Sequence, residues 1–234
     1  MAKFLASILL SIGGKKHPKD ECVYIFREGE AFLFLATHVD DLFPLFNTQA
    51  IKIKDKILDT LKTKMEIDNR GTISFALDMK IERDINKGIL KISQTVYTES
   101  LLNEYDMQNT VARETPATGV DLCEKDIPTN KEEKEYAAKL PIRQLIGRLW
   151  WLALISRPDI YCALHRCAIW QNKPSKNLWK HLITILKYLK ATPHFGIIFQ
   201  RPNESNNNLI FAMVDSSFAT EPNSKSRYIY FFLF

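Results

Sequence analysis

The chain has 234 residues, 46% hydrophobic, 25% charged and 11% aromatic, with only 8 Gly and 10 Pro. That composition belongs to a folded globular chain and excludes a wholly disordered, collagen-like or coiled-coil one. The net charge of +5 is unevenly spread: residues 139–201 carry 11 Lys and Arg against the single acid Asp159, a net +10, which leaves −5 for the remainder.

In chain order, Leu5, Ile8, Leu9 and Ile12 lie at helical spacing, and Gly13-Gly14 ends that helix. Residues 4–12 resemble the core of a signal peptide, but GGKKHPKD follows in place of a small-residue cleavage site, so the segment reads as an amphipathic helix. The apolar, aromatic runs 22–26 and 31–39 flank Arg27-Glu28-Gly29-Glu30 and read as two strands and a turn. Asp40-Asp41 ends the second run, and the apolar run 42–46 follows at once. Residues 51–65 place Ile57, Leu58, Leu61 and Met65 on one helical face. Strands are expected over 72–77, 79–83 and 89–92, with Asn86-Lys87-Gly88 as a turn, then a short helix over 97–105.

Residues 113–135 are rich in Thr, Pro, Glu, Lys and Asp and form the best linker candidate. Helices follow over 132–155, 160–171 and 176–190, with breaks marked by Pro158, Pro174 and Pro193. Strands return over 196–200, 209–214 and 228–234. No internal repeat is visible.

The four cysteines, Cys22, Cys123, Cys162 and Cys167, make no disulfide scaffold in a chain this long and read as buried thiols in a reducing compartment. Helical geometry puts Cys162 and Cys167 on different faces, which argues against a zinc site with His165. No apolar run reaches the ~18 residues that span a membrane. An intracellular, non-secreted chain is expected.

Chemistry points first to Asp40 and Asp41. Two adjacent acids at an apolar hairpin tip repel, and a cation relieves them; hard oxygen donors of this kind suit Mg²⁺ with bound phosphates. A bare Asp-Asp pair also reads, more commonly, as a solvated turn. The basic stretch reads either as one surface for a polyanion or as lysines that solvate helix faces. Trp150, Trp151, Trp170 and Trp179 could stack on bases, but at helical spacing they are more often core.

Thr37-His38-Val39-Asp40-Asp41-Leu42 resembles the Tyr-Val-Asp-Asp hairpin of reverse transcriptases. Further stretches are similar, in the same order, to the Pol polyprotein of copia-type LTR retrotransposons. They are Asp20-Glu21-Cys22-Val23-Tyr24, Ile92-Ser93-Gln94 with Tyr97, Thr115-Pro116, and Ile142-Arg143-Gln144-Leu145-Ile146-Gly147-Arg148-Leu149. Ser156-Arg157-Pro158-Asp159-Ile160, Ile185-Leu186-Lys187-Tyr188-Leu189-Lys190, Val214-Asp215-Ser216-Ser217-Phe218-Ala219 and Ser224-Lys225-Ser226 complete the set.

The resemblance implies an α+β fold with four parts. Residues 1–112 would be a partial polymerase palm, an antiparallel sheet with helices. Residues 113–135 would be a linker, 136–194 a helical thumb and connection, and 195–234 the first strands of a ribonuclease H-like domain. It implies RNA-directed DNA polymerase chemistry, with Asp40 and Asp41 as catalytic acids and Asp40, Asp41 and Asp215 as Mg²⁺ ligands. Arg143, Arg148, Lys173, Lys176, Lys180, Lys187 and Lys190 would contact the phosphates of an RNA/DNA template–primer duplex, weakly and without regard to sequence. Departures from the pattern are His38 for the aromatic, Pro44 after the hairpin, Asp78 for a Gly, and Ala191 for another Gly. In the family a further metal-binding Asp and the fingers precede the segment that this sequence resembles. The expectation is therefore a truncated copy without template-directed synthesis of its own; the alternative is a non-catalytic nucleic-acid-binding remnant.

Overall fold

A computed structural model of the chain describes residues 2–117, 119, 122–201, 211–221 and 225–233. The chain divides into two compact units, Met1–Gly71 and Thr72–Phe234.

The first unit runs α1 (Ala2–Ser11), β1 (Lys15–His17), β2 (Asp20–Glu28), β3 (Ala31–His38), β4 (Asp41–Phe46) and α2 (Ile51–Lys62). The four strands form an antiparallel sheet in that order. Strand alternation puts Tyr24, Phe26, Leu33 and Leu35 on one face, where Leu5, Ile8 and Leu9 of α1 and Ile53, Ile57 and Leu61 of α2 bury them. Gly29, at φ +59°, supplies the left-handed backbone that the β2–β3 turn requires. Beyond β4, Asn47 clips the sheet: its Oδ1 accepts from the Phe32 N–H at 3.2 Å and its Nδ2 donates to the Glu30 carbonyl at 2.8 Å.

The second unit begins with β5 (Phe75–Ala76), β6 (Met79–Asp84), β7 (Ile89–Ser93) and α3 (Thr95–Glu104). The helices α4 (Lys131–Lys139), α5 (Ile142–Ile155), α6 (Tyr161–Ile169) and α7 (Lys176–Ala191) follow. The strands β8 (Gly196–Gln200), β9 (Phe211–Glu221) and β10 (Lys225–Leu233) come last. A second antiparallel sheet has the order β5-β6-β7-β8, and β9 pairs with β10. The chain is thus α+β, with two four-stranded antiparallel sheets and seven helices among the described residues. The buried core of this unit is helical, built on Leu145, Leu149 and Leu152 of α5, Leu164 of α6, and Leu178, Leu182, Ile185 and Leu189 of α7.

Several expectations shift. The helix expected over 132–155 breaks into α4 and α5 at Pro141, which has no N–H for a continuing helix and caps α5 instead. The strand expected over 72–77 shrinks to Phe75–Ala76. Residues 72–112, grouped above with 1–71, fold in the unit that holds the helices. Strand β8, grouped above with the chain's last strands, pairs with β7, from Ser93↔Gly196 to Ile89↔Gln200. The pairing requires a glycine at 196, where an added Cβ would meet the Ile92 carbonyl oxygen at 2.2 Å. Residues 209, 210, Ser224 and Phe234 of the expected strands and motifs lie outside the described residues.

One departure noted in the sequence has a conformational cost. Leu77 and Asp78 form the two-residue turn between β5 and β6, at φ +50° and +60°. Two successive left-handed residues are the pattern of a type I′ turn, which favours Gly. Asp tolerates this region better than most residues but less well than Gly. Asp78→Gly is therefore expected to raise stability by about 0.5–1 kcal/mol, read as a shift in the urea midpoint at unchanged slope.

Candidate functional site

His38 pairs with Asp41 across β3 and β4, so Val39 and Asp40 alone make the connecting turn. His38, Val39, Asp40 and Asp41 are all exposed. The acid pair therefore sits where a hairpin reverses, presented to solvent by two strands whose other face is anchored in the core. Val39 has φ +51° although it is β-branched, and it is 80% exposed, so no packing offsets the strain. Backbone strain of this kind clusters at functional sites. Pro44 is accommodated because β4 is the edge strand of the sheet, where a missing ladder donor costs least.

The donor chemistry at the tip fits a hard cation in part. Asp40 and Asp41 offer carboxylate oxygens, the ligand type that Mg²⁺ takes. Among the described residues, no three His, Cys, Asp or Glu gather as a metal-binding group. Two carboxylates leave most of an octahedral shell to water, phosphate oxygens or a carboxylate from another segment. Asp215 lies in β9, opposite Ile229, in the second unit.

The basic residues separate into two groups. Lys176, Lys180 and Lys187 lie within about 40° of one another around α7, on the side away from its buried row of Leu178, Leu182, Ile185 and Leu189. Lys176 and Lys180 are exposed, and Lys187 is half-buried. Lys173 lies 5.6 Å from the centroid of the Trp170 ring. Arg143 is exposed and donates to Asn172 Oδ1 at 2.8 Å. Arg148 and Lys190 are already engaged. Arg148 forms an ion pair with Glu104, and the Lys190 ammonium donates to the carbonyls of Gln108 and Thr110, tying that turn to α7.

Trp150, Trp170 and Trp179 pack against the helical core, which bears out the core reading for these three. Trp151 is 40% exposed, on the same side of α5 as the exposed Gly147 and Leu154. The thiol expectation is corrected: Cys22, Cys123 and Cys162 are exposed, because they fall on outward-facing positions, and only Cys167 is buried. Burial pushes the Cys167 thiol up to about 12, so it is inert at neutral pH.

Sequence reasoning missed how the motifs meet. Arg157, 1% exposed, donates from Nε and Nη2 to the Asp159 carboxylate at 3.0 and 2.7 Å. It also donates from Nη1 to the Thr192 carbonyl at 2.8 Å and from Nη2 to Thr192 Oγ1 at 2.7 Å. The Tyr188 hydroxyl donates to Asp159 Oδ2 at 2.8 Å. Beside this cluster the buried Ser156 hydroxyl donates to Gln94 Oε1 at 2.8 Å. Burial pushes the Asp159 carboxyl up, but hydrogen bonds from Arg157 and Tyr188 and the guanidinium charge outweigh it and hold the group below its ordinary range. Residues read as separate stretches, around 94, 156–160 and 185–190, thus form one polar junction. The available signal was Arg and Asp two residues apart around a proline within apolar sequence.

No protein-family model matches the chain, and no solved structure does. It is 32% identical over 175 residues to the retrovirus-related Pol polyprotein from transposon TNT 1-94 of Nicotiana tabacum, covering 74% of this chain and 13% of that one. It is 26% identical over 200 residues to the corresponding polyprotein from transposon RE2 of Arabidopsis thaliana, covering 85% and 13%. An uncharacterized mitochondrial protein of Arabidopsis thaliana is 24% identical over 191 residues, covering 80% of this chain and 72% of that protein. No helix among the described residues is long and apolar enough to cross a membrane. The matches with the two polyproteins cover 74% and 85% of the chain, and they identify it as a homologue of the retrovirus-related Pol polyproteins of plant copia-type transposons, of whose length it spans 13%.

Proposed function

We propose that the chain is a segment of the reverse transcriptase region of a copia-type Pol polyprotein and works inside the cell on an RNA/DNA template–primer duplex. The observation that carries this reading is the strained, exposed hairpin tip, with Asp40 in the turn itself and Asp41 as the first residue of β4. In this reading both carboxylates hold Mg²⁺ at the end of a strand pair fixed by the core, which limits their movement. The ions would activate a primer 3′-hydroxyl and stabilise the leaving oxygen of the incoming nucleotide. Lys173, Lys176, Lys180 and Lys187, with Arg143, hold the duplex by its phosphates. Arg148 and Lys190, held by Glu104 and by backbone carbonyls, contribute less. Asp215 belongs to a second acid site by the same family reading.

A second reading, non-catalytic nucleic-acid binding, is favoured for the chain acting alone, because no third metal-ligating side chain joins the Asp pair among the described residues. Two experiments separate the readings. Labelled-nucleotide incorporation on an RNA template with a DNA primer is expected to stay at background with the pure chain. Incorporation that Asp40→Asn abolishes would overturn the inactive reading. Mn²⁺, used as a paramagnetic probe, is expected to broaden resonances around 38–42 and to lose that effect in Asp40→Asn/Asp41→Asn. Equal broadening in the variant would remove the metal role from the hairpin.

A further inference from the structure

Strand β8 is poorly anchored by apolar burial. Of the residues in β5, β6, β7 and β8, Ser93 alone is buried. Ile198 and Phe199 of β8 are 61% and 50% exposed. A strand with so little core burial opens at a low local free energy unless something else fastens it. Its ladder to β7 is continued by the Arg201 N–H, which donates to the Gly88 carbonyl at 2.8 Å.

The other attachment lies at the mouth of the strand. Between the end of α7 and the start of β8 stand Thr192 and Phe195, and both meet Arg157. The guanidinium donates to the Thr192 carbonyl and hydroxyl, and its carbon lies 5.5 Å from the centroid of the Phe195 ring. Arg157 itself is fixed from the other side by Asp159 and packs 5.4 Å from the Tyr188 ring centroid. The charge that balances the guanidinium therefore belongs to the connection between α5 and α6, while two of its contacts belong to the connection that leads into β8.

We propose that Arg157 is a latch: seated on Asp159 at the end of α5, it grips Thr192 and Phe195 and thereby sets whether β8 stays paired with β7. When the grip is lost, β8 leaves the sheet and the edge of β7 is uncovered. The helical core keeps its own packing, since Leu145, Leu149, Leu182 and Ile185 take no support from β8. This inference rests on geometry alone and stands apart from the polymerase reading.

Amide hydrogen exchange on the full chain tests it, with substitutions on the β8 side that leave Arg157, Asp159 and Tyr188 in place. Thr192→Val/Phe195→Ala is expected to speed exchange at 197–200 by about tenfold or more and to leave the amides of α5 and α7 at their original rates. Thr192→Ser keeps the hydroxyl acceptor and is expected to exchange like the unsubstituted chain. Unchanged rates at 197–200 in the double variant would overturn the latch. So would an equal acceleration in α5 and α7, because that would make the contact one of general stability. Should the double variant fail to fold, Thr192→Val alone carries the same two outcomes.

Discussion

Arg157→Ala is expected to lower the stability of the second unit by about 2–3 kcal/mol, the range for losing hydrogen bonds to a charged group, since the Asp159 side chain is 34% exposed and water takes up part of the charge that the guanidinium leaves. The loss has three sources. The Asp159 carboxylate stays in place without its two guanidinium donors, the Thr192 carbonyl and hydroxyl lose theirs, and a side chain only 1% exposed leaves a void. Arg157→Lys should recover only part of the difference, because a single ammonium cannot face a carboxylate bidentately and two further acceptors at once. Urea denaturation followed by helical circular dichroism reads both. The pair also fixes a pH dependence. The Asp159 carboxyl lies below its ordinary range in the folded chain, so its contribution is complete above the unfolded-state value and is lost as pH falls through the folded one. In Arg157→Ala that acid-side loss of stability should flatten. A variant as stable as the unsubstituted chain would show the junction to be dispensable.

Duplex binding is expected to fall steeply with salt, with a log–log slope of about −0.9 for each phosphate contacted. Lys176, Lys180 and Lys187 share one outward side of α7, in a segment where residues 160–201 hold no Asp or Glu. No acid of that segment offsets them, although two acids from other elements meet α7, Asp126 at Asn177 and Asp159 at Tyr188, each at 2.8 Å. Lys176→Gln/Lys180→Gln/Lys187→Gln should flatten the slope by about 2.7 if all three meet phosphates. The weakening should be the same for unrelated sequences, since phosphate contacts carry no base information. Lys190→Gln should behave differently. Its ammonium is spent on the Gln108 and Thr110 carbonyls, so the substitution should cost stability and leave the slope nearly unchanged. Isotherms at two salt concentrations decide the matter. A flat response in the triple variant would mean that these lysines only solvate an amphipathic helix.

The hairpin was legible because everything that makes it is local. Two apolar, aromatic runs and the acid pair between them are neighbours in sequence, and the structure places them as β3, the turn and β4. The same holds for α2 and α7, whose apolar spacing of three and four residues is itself the buried face. Charge density around α7 was equally plain, but which lysines are available was not. Lys190 is occupied by carbonyls 80 and 82 residues away in sequence, and Arg148 by an acid 44 residues away.

What the sequence determined by itself was therefore the kind of each element and the family to which the ordered motifs point. The tertiary structure alone decided which elements share a unit. It cut the chain at Gly71, joined β8 to β7, and brought Gln94 against Ser156 across 62 residues and Arg157 against Thr192 across 35. The physical reason is that a backbone ladder or a buried guanidinium requires partners of the right chemistry but places no constraint on their separation along the chain. Local periodicity fixes which face of a helix or strand is buried, and only the closing of the chain fixes what it is buried against.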